Sequence, residues 1–324
     1  MTVTINKSTA FGRVKAPPSK SMAHRYLICG ALSENSEING IEKSKDIEAT
    51  LSGLEALGAH IETVDKTVVI GGIDFNKPPK SNVINCNESG STLRFLIPIC
   101  LLFNREITLI GSERLFKRSL SVYEQICDAQ GIKFIKTSNS VTLCGRLTGG
   151  KYSVSGGISS QFISGLMFAL SQLSDDSIIE ITDNLESASY LNLTIKALGK
   201  FGVRISKTDE RTFYIKGNQT CKNRVVTVEG DYSNAAFLDA FNLLGGNVAV
   251  TGLSKNTAQG DSVYKDLFIE LQNGKPTIDV TDCPDLAPIL MTVAALYNGA
   301  VFTGTKRLKI KESDRGEAMR QELS

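Results

Sequence analysis

A pattern that returns about every seventy-one residues constrains this chain more than any other feature. Four segments, LEALGAHIE, ICDAQGIKF, KALGKFGVRI and IELQNGKPTI, each read as a helical stretch, a glycine and an alternating strand. Their glycines, Gly58, Gly131, Gly202 and Gly274, are spaced by 73, 71 and 72 residues. Each stands where a left-handed residue closes the last helical turn. A second series, out of phase with the first, reads as helix end, tight turn and strand. Its leading leucines, Leu32, Leu102, Leu173, Leu243 and Leu296, lie 70, 71, 70 and 53 residues apart. The unit is therefore two helices and several strands. The 324 residues hold about four and a half such units, so the last is expected to be cut, with its second helix starting at Lys311.

Composition narrows what such an array does. Hydrophobic residues make up 41% and charged residues 22%, ordinary values for about two globular domains. Thirty-six basic against 34 acidic residues leave a formal charge of +2, unlike a nucleic-acid or membrane-surface protein. The longest apolar run, Phe95 to Phe103, is interrupted by Pro98 and is far shorter than the ~20 residues that span a bilayer. The first ten residues lack a signal-peptide core. Seven scattered cysteines form no CxxC pair, and only His24 and His60 are histidines, which argues for a reducing, cytoplasmic setting and against a zinc site.

Polar residues collect where loops run into helices. In PPSKSMAHRYL, hydroxyls of Ser19 and Ser21 stand beside Lys20 and Arg25, a set suited to phosphate or carboxylate at a helix N-terminus, although simple N-capping explains the serines equally. NESGSTLRF sets Glu88, Ser89, Gly90, Ser91 and Thr92 ahead of Arg94, a cation in a first helical turn where the dipole opposes it, so an anionic partner is expected. SGGISSQF offers Ser159, Ser160 and Gln161, either as ligand contacts or as a capping box. LESASYL adds Ser187 and Tyr190 to the same unit. TDCPDLAP carries Asp282 and Asp285, and KIKESDRGE carries Lys311, Glu312, Asp314 and Arg315. Cations, hydroxyls and carboxylates at one kind of junction fit an anionic substrate and proton transfer. P-loop, dinucleotide-fold and GxSxG signatures are absent from the sequence.

These segments, PPSKSMAHR, GSTLR, SSQF, EGDYSNAAF, DCPDLAP and above all IKESDR, resemble those of the 5-enolpyruvylshikimate-3-phosphate synthases, in that family's order, from about Gly12 to Arg315. The related UDP-N-acetylglucosamine enolpyruvyl transferases carry a loop cysteine that GSERLFKRSLSVY lacks. That enzyme, or a non-catalytic ligand-binding remnant, is the alternative. The resemblance implies an inside-out α/β barrel of two domains built from βαβαββ repeats. The first domain takes residues 1–18 and 229–324, with its last repeat truncated, and the second takes residues 19–228.

The implied activity is enolpyruvyl transfer from phosphoenolpyruvate to the 5-hydroxyl of shikimate 3-phosphate in a cytoplasmic monomer. It calls for no metal or organic cofactor and no nucleic-acid or membrane partner. By the same resemblance Lys20, Ser21, Arg25, Ser159, Ser160, Gln161, Ser187, Tyr190, Asp285 and Lys311 would hold shikimate 3-phosphate. Lys20, Gly90, Arg94, Arg118, Gln161 and Arg315 would hold phosphoenolpyruvate. Asp285 would take the acceptor's proton, Glu312 would protonate the donor methylene with Lys311 assisting, and Lys20 would complete the catalytic set. The sequence departs from the family pattern at Glu88, at Phe95, and at Ser119 after Arg118, and it contains no Asp-His-Arg segment.

Overall fold

The computed structural model describes residues 4, 6, 8–310 and 313–324. The chain divides into two compact units, residues 1–19 with 229–324, and residues 20–228. The first unit opens with β1 (Phe11–Lys15).

The second unit is one motif written three times. Its first copy runs α1 (Lys20–Ala31), β2 (Asn35–Asn39), α2 (Lys45–Ala56), β3 (His60–Val64) and β4 (Thr67–Gly71). The next is β5 (Val83–Asn85), α3 (Gly90–Cys100), β6 (Ile107–Ile110), a short α4 (Glu113–Lys117), α5 (Ser121–Ala129), β7 (Lys133–Lys136) and β8 (Ser140–Cys144). The last is β9 (Gly150–Val154), α6 (Ser160–Leu170), β10 (Ser177–Ile181), α7 (Ala188–Lys200), β11 (Ile205–Lys207) and β12 (Thr212–Ile215), followed by β13 (Val225–Thr227).

The sheets are ordered β13-β2-β4-β3, β5-β6-β8-β7 and β9-β10-β12-β11. In each, the first pair is parallel and the other two are antiparallel. The first copy lacks a leading strand of its own, and β13 returns from the end of the unit to supply it, pairing Val226 with Ile38. The strands β4, β8 and β12 bury alternate residues, so each sheet turns one face inward. By contrast α1, α3 and α6 are buried nearly all round. Helices inside and sheets outside follow from that difference in patterning.

In the first unit β1 pairs in parallel with β14 (Asn247–Thr251), which follows α8 (Tyr232–Asp239). Then come α9 (Tyr264–Asn273), β15 (Thr277–Asp279), α10 (Ala287–Leu296), β16 (Val301–Thr303) and α11 (Arg315–Glu322). β15 and β16 pair in parallel. Tyr264, Phe268, Leu271, Leu286, Leu290 and Val293 share one apolar core with Ala235 and Ala236. Among the described residues no helix is long and apolar enough to cross a membrane.

Three of the four repeat glycines end their helices as expected. Gly58, Gly131 and Gly202 have φ of +115°, +66° and +86°. The residues after them close back on the last turn, Ala59 N to Leu54 O at 3.0 Å, Ile132 N to Cys127 O at 2.8 Å and Val203 N to Leu198 O at 3.0 Å. Gly274 departs from the pattern: it caps α9 with extended backbone, φ 176°. It follows the last helical residue directly, whereas the other three glycines stand one position further on, after the caps Leu57, Gln130 and Phe201.

Pro98 lies inside α3 and leaves the carbonyl of Arg94 without its helical partner. The buried Tyr123 hydroxyl takes that role, lying 2.6 Å from Arg94 O and 3.1 Å from Phe162 O, and so stitches α5 to α3 and α6. Tyr123→Phe should therefore destabilise the protein by about 1–3 kcal/mol, because it strands a buried carbonyl. Urea unfolding reads this directly, and an unchanged midpoint would show the bond to be dispensable.

Candidate functional site

In residues 20–228 the polar junctions are the starts of three buried helices. α1 begins at Lys20, whose ammonium donates to Asp46 Oδ2 at 2.6 Å in the first turn of α2. Lys20 is 58% exposed, so the pair aims the ammonium and adds little stability. Ser19 does not cap α1, since its buried hydroxyl finds no partner among the described residues. Arg25 is 2% exposed. Its Nε donates to Thr194 Oγ1 at 2.8 Å, its Nη1 to Ser21 O at 2.7 Å and its Nη2 to Tyr190 O at 3.0 Å. The guanidinium lies 5.2 Å over the Phe95 ring. Burial pulls its pKa down to about 10, with Tyr190 and Cys29 opposing, and it stays charged at neutral pH. Arg25 thus ties the start of α1 to α7, bringing Ser21 and Tyr190 to one place.

At α3, Ser89 caps the helix by accepting from Thr92 N, and Asn87 takes a left-handed φ of 50° just before it. A Cβ on Gly90 would stand 2.5 Å from Arg118 Nη1 and 2.9 Å from Arg94 Nη1. Two guanidinium groups therefore converge on one helix N-terminus, where backbone N–H groups already favour an anion. Arg94 Nη1 donates to Gln161 Oε1 at 3.2 Å, and Gln161 Nε2 donates to Ser91 Oγ at 3.0 Å. Arg94 also lies 5.1 Å over the Phe162 ring. Gln161 is used across helices in this way, so the alternative of a capping box is set aside. Ser159 alone caps α6, accepting from Gln161 N at 3.3 Å.

The loop before α6 is held by a carboxylate that the sequence patterns did not single out. Asp183 Oδ1 accepts from Gly156 N at 2.6 Å and Gly157 N at 3.2 Å, and Ser155 Oγ donates to Oδ2 at 2.6 Å. Desolvation raises the carboxyl, but these bonds outweigh it and hold the pKa below the usual value. A depressed folded-state pKa gives stability that is present above the unfolded carboxyl's pKa of ~3.9 and is lost as pH falls through the folded value. Amide protection of Gly156 and Gly157 should accordingly hold at pH 5 and fall below about pH 4; protection that stays level to pH 3 would refute the assignment. Nearby, buried Ser187 adopts φ 61° and ψ 46°, a left-handed conformation costing about 1–2 kcal/mol for a non-glycine residue. Strain of this kind gathers where a side chain must be aimed.

The remaining expected site residues lie in the other unit. Asp285 precedes α10, and its Oδ1 accepts from Arg315 Nη1 at 2.5 Å. The same nitrogen reaches Pro284 O at 3.2 Å. Lys311 and Glu312 lie outside the described residues. α11 starts at Arg315, four positions later than the repeat suggests, because Asp314 is the cap and accepts from Glu317 N at 3.0 Å.

Sequence reasoning missed Asp46, Asp183, Thr194 and Tyr123. Asp46 carried one faint signal, an acid in a first helical turn after Ser44. Among the described residues no group of three His, Cys, Asp or Glu side chains could hold a metal ion.

A family profile described as EPSP synthase (3-phosphoshikimate 1-carboxyvinyltransferase) matches residues 6–324. The 3-phosphoshikimate 1-carboxyvinyltransferase of Clostridium kluyveri is 42% identical over 342 aligned positions, covering 99% of this chain and 80% of its own. The enzyme of that name from Clostridium acetobutylicum is 43% identical, with the same shares covered. Among solved structures, an EPSP synthase of Acinetobacter baumannii superposes with a TM-score of 0.78 at 22% identity, over 97% of this chain and 78% of that one. The fold is accordingly the inside-out α/β architecture of two domains.

Proposed function

Because the chain belongs to the EPSP synthase family, we infer that it joins the enolpyruvyl group of phosphoenolpyruvate to the 5-hydroxyl of shikimate 3-phosphate. Phosphate leaves, and the product feeds aromatic amino acid biosynthesis. The observation that carries this reading to the residues is the convergence of Arg94 and Arg118 on Gly90 at the start of α3. Two cations and a helix N-terminus at one point match a donor that bears a carboxylate and a phosphate.

Lys20, Ser21, Arg25, Ser159, Ser160, Gln161, Ser187 and Tyr190 then hold the acceptor, with Asp285 and Lys311. Lys20 also reaches the donor, together with Gly90, Arg94, Arg118, Gln161 and Arg315. Asp285 takes the proton of the acceptor's 5-hydroxyl as its oxygen attacks C2 of the donor. Glu312 supplies a proton to the donor's methylene carbon, which gives a tetrahedral intermediate. Loss of a proton from that carbon and of phosphate from C2 then restores the double bond. Arg315, paired with Asp285, divides its hydrogen bonds between that carboxylate and the donor's.

The domains of the reading are residues 1–18 with 229–324 and residues 19–228. The near-neutral charge of +2 argues against a nucleic-acid partner and the scattered cysteines favour the cytoplasm; the reading takes the chain as a monomer. Light scattering in line with gel filtration checks the oligomeric state. The reaction itself is tested by phosphate release from phosphoenolpyruvate. Release that requires shikimate 3-phosphate, with the enolpyruvyl ether seen by mass spectrometry, is the expected result. Release that requires UDP-N-acetylglucosamine instead would overturn it.

A further inference from the structure

Three helices of residues 20–228 share a buried chain of hydrogen bonds to which the reaction above gives no part. His24 on α1 places Nδ1 2.8 Å from Thr50 Oγ1 on α2. Thr50 Oγ1 is 2.7 Å from Thr92 Oγ1 on α3. Thr92 Oγ1 is in turn 2.7 Å from Ser89 Oγ, the cap that also accepts from Thr92 N at 3.2 Å. His24, Thr50, Thr92 and Ser89 are each 2% exposed or less. Residues this far apart in sequence do not meet for local reasons, and the chain ends on the cap next to Gly90.

The direction of the protons can be worked out. Burial lowers the His24 pKa to about 3, Asp46 opposing and Lys20 and Arg25 adding to the effect, so the ring is neutral and has one N–H. Thr92 has one hydroxyl proton, and both of its outward contacts, Ser89 Oγ at 2.7 Å and Asp46 O at 3.4 Å, take it away from Thr50. Thr92 must therefore accept from Thr50. Thr50, having spent its own proton, must accept from His24 Nδ1. The ring is then the Nδ1–H tautomer, and Nε2, which has no partner among the described residues, keeps only a lone pair to bury. In the opposite tautomer Nε2 would bury an unpaired N–H. Hydrogen bonds aligned head to tail strengthen one another in a low dielectric.

We propose that His24, as its Nδ1–H tautomer, is a positioning residue for the donor-binding turn. Through Thr50 and Thr92 it fixes Ser89, and so sets where Gly90 and Arg94 stand relative to Lys20 and Arg25 on its own helix. This rests on the reading of Gly90 and Arg94 as donor contacts. It differs from a purely structural role because disturbance of the relay falls on one substrate.

The test uses Thr92→Val, which keeps the branched shape and removes the hydroxyl, and Thr92→Ser, which keeps the hydroxyl. In phosphate-release kinetics the valine variant should lose about tenfold in kcat/KM for phosphoenolpyruvate and less than about twofold for shikimate 3-phosphate. The serine variant should stay within about twofold of the parent for both. Equal losses for the two substrates, or none for either, overturn the proposal. Imidazole nitrogen NMR provides a second measurement that needs no substrate, since the only other histidine is His60 and His60→Gln assigns the signals. A protonated Nδ1 in the parent, lost in Thr92→Val, supports the relay, and a protonated Nε2 in the parent refutes it. Should the parent release no phosphate with either acceptor, the functional reading fails and with it the positioning role, while the tautomer still decides the hydrogen-bond chain.

Discussion

Gly90→Ala is expected to lower kcat/KM for phosphoenolpyruvate by about two orders of magnitude and to leave thermal stability nearly unchanged. Gly90 opens α3, and an added methyl would press on Arg118 Nη1 at 2.5 Å and Arg94 Nη1 at 2.9 Å. Both atoms are far ends of long side chains, so they swing aside and the helix is not disturbed. Swinging aside removes the cations from the position an anion would occupy. A displacement of about 1 Å from productive geometry is enough for a hundredfold loss. The binding of shikimate 3-phosphate alone should change far less, because Lys20, Ser21 and Arg25 stand on another helix. Kinetics with each substrate varied in turn, set beside a melting curve, separate these effects. A variant that melts well below the parent, or that loses both substrates equally, would mean that the glycine serves the backbone and not the ligand.

Gly165→Ala should show the opposite profile, a loss of stability of about 1–3 kcal/mol or more. Gly165 lies in α6 where it meets α3, and a Cβ there would overlap the Tyr123 hydroxyl, stand 2.5 Å from the Arg94 carbonyl and 3.2 Å from Pro98 Cγ. Backbone cannot swing aside as a guanidinium can, so the two helices must part or α3 must bend. For about two hundred residues, each 1 kcal/mol lowers the melting temperature by about 2–4 °C. Tyr123→Phe combined with Gly165→Ala should not restore the parent's stability, since the carbonyl overlap persists. A double variant as stable as Tyr123→Phe alone would contradict the close approach.

These residues also show what the sequence could and could not disclose. Periodicity revealed the repeat, because each unit must bury the same helix stripe and sheet face. The glycines after α2, α5 and α7 were legible for a local reason, since one left-handed residue closes each turn. The same rule failed at Gly274, which caps α9 directly and takes extended backbone there. Ser89 and Ser159 were readable as caps, whereas Asp314 fell inside a helix expected to start at Lys311. The choice of the two serines over competing arrangements was not readable, since it depends on where Gln161 and Thr92 find partners on other helices.

Non-local devices stayed hidden. Pro98 was visible as an interruption, but nothing near it in sequence announces that Tyr123 satisfies the Arg94 carbonyl. Asp183 looked like any loop acid until its oxygens were found on Gly156 and Gly157. The strand that completes the first sheet comes from residues 225–227, far from its partner in sequence. For the candidate site, the residue types were legible and the pairings were not. Arg25 read as a ligand contact, and its guanidinium is also a clamp between α1 and α7.

Calorimetric titration of this chain with shikimate 3-phosphate, with UDP-N-acetylglucosamine as the control ligand, tests the central claim most directly. Saturable heat from shikimate 3-phosphate at one site, and none from the nucleotide sugar, is the expected result. Heat from the nucleotide sugar alone, or silence from shikimate 3-phosphate in a folded sample, would contradict it.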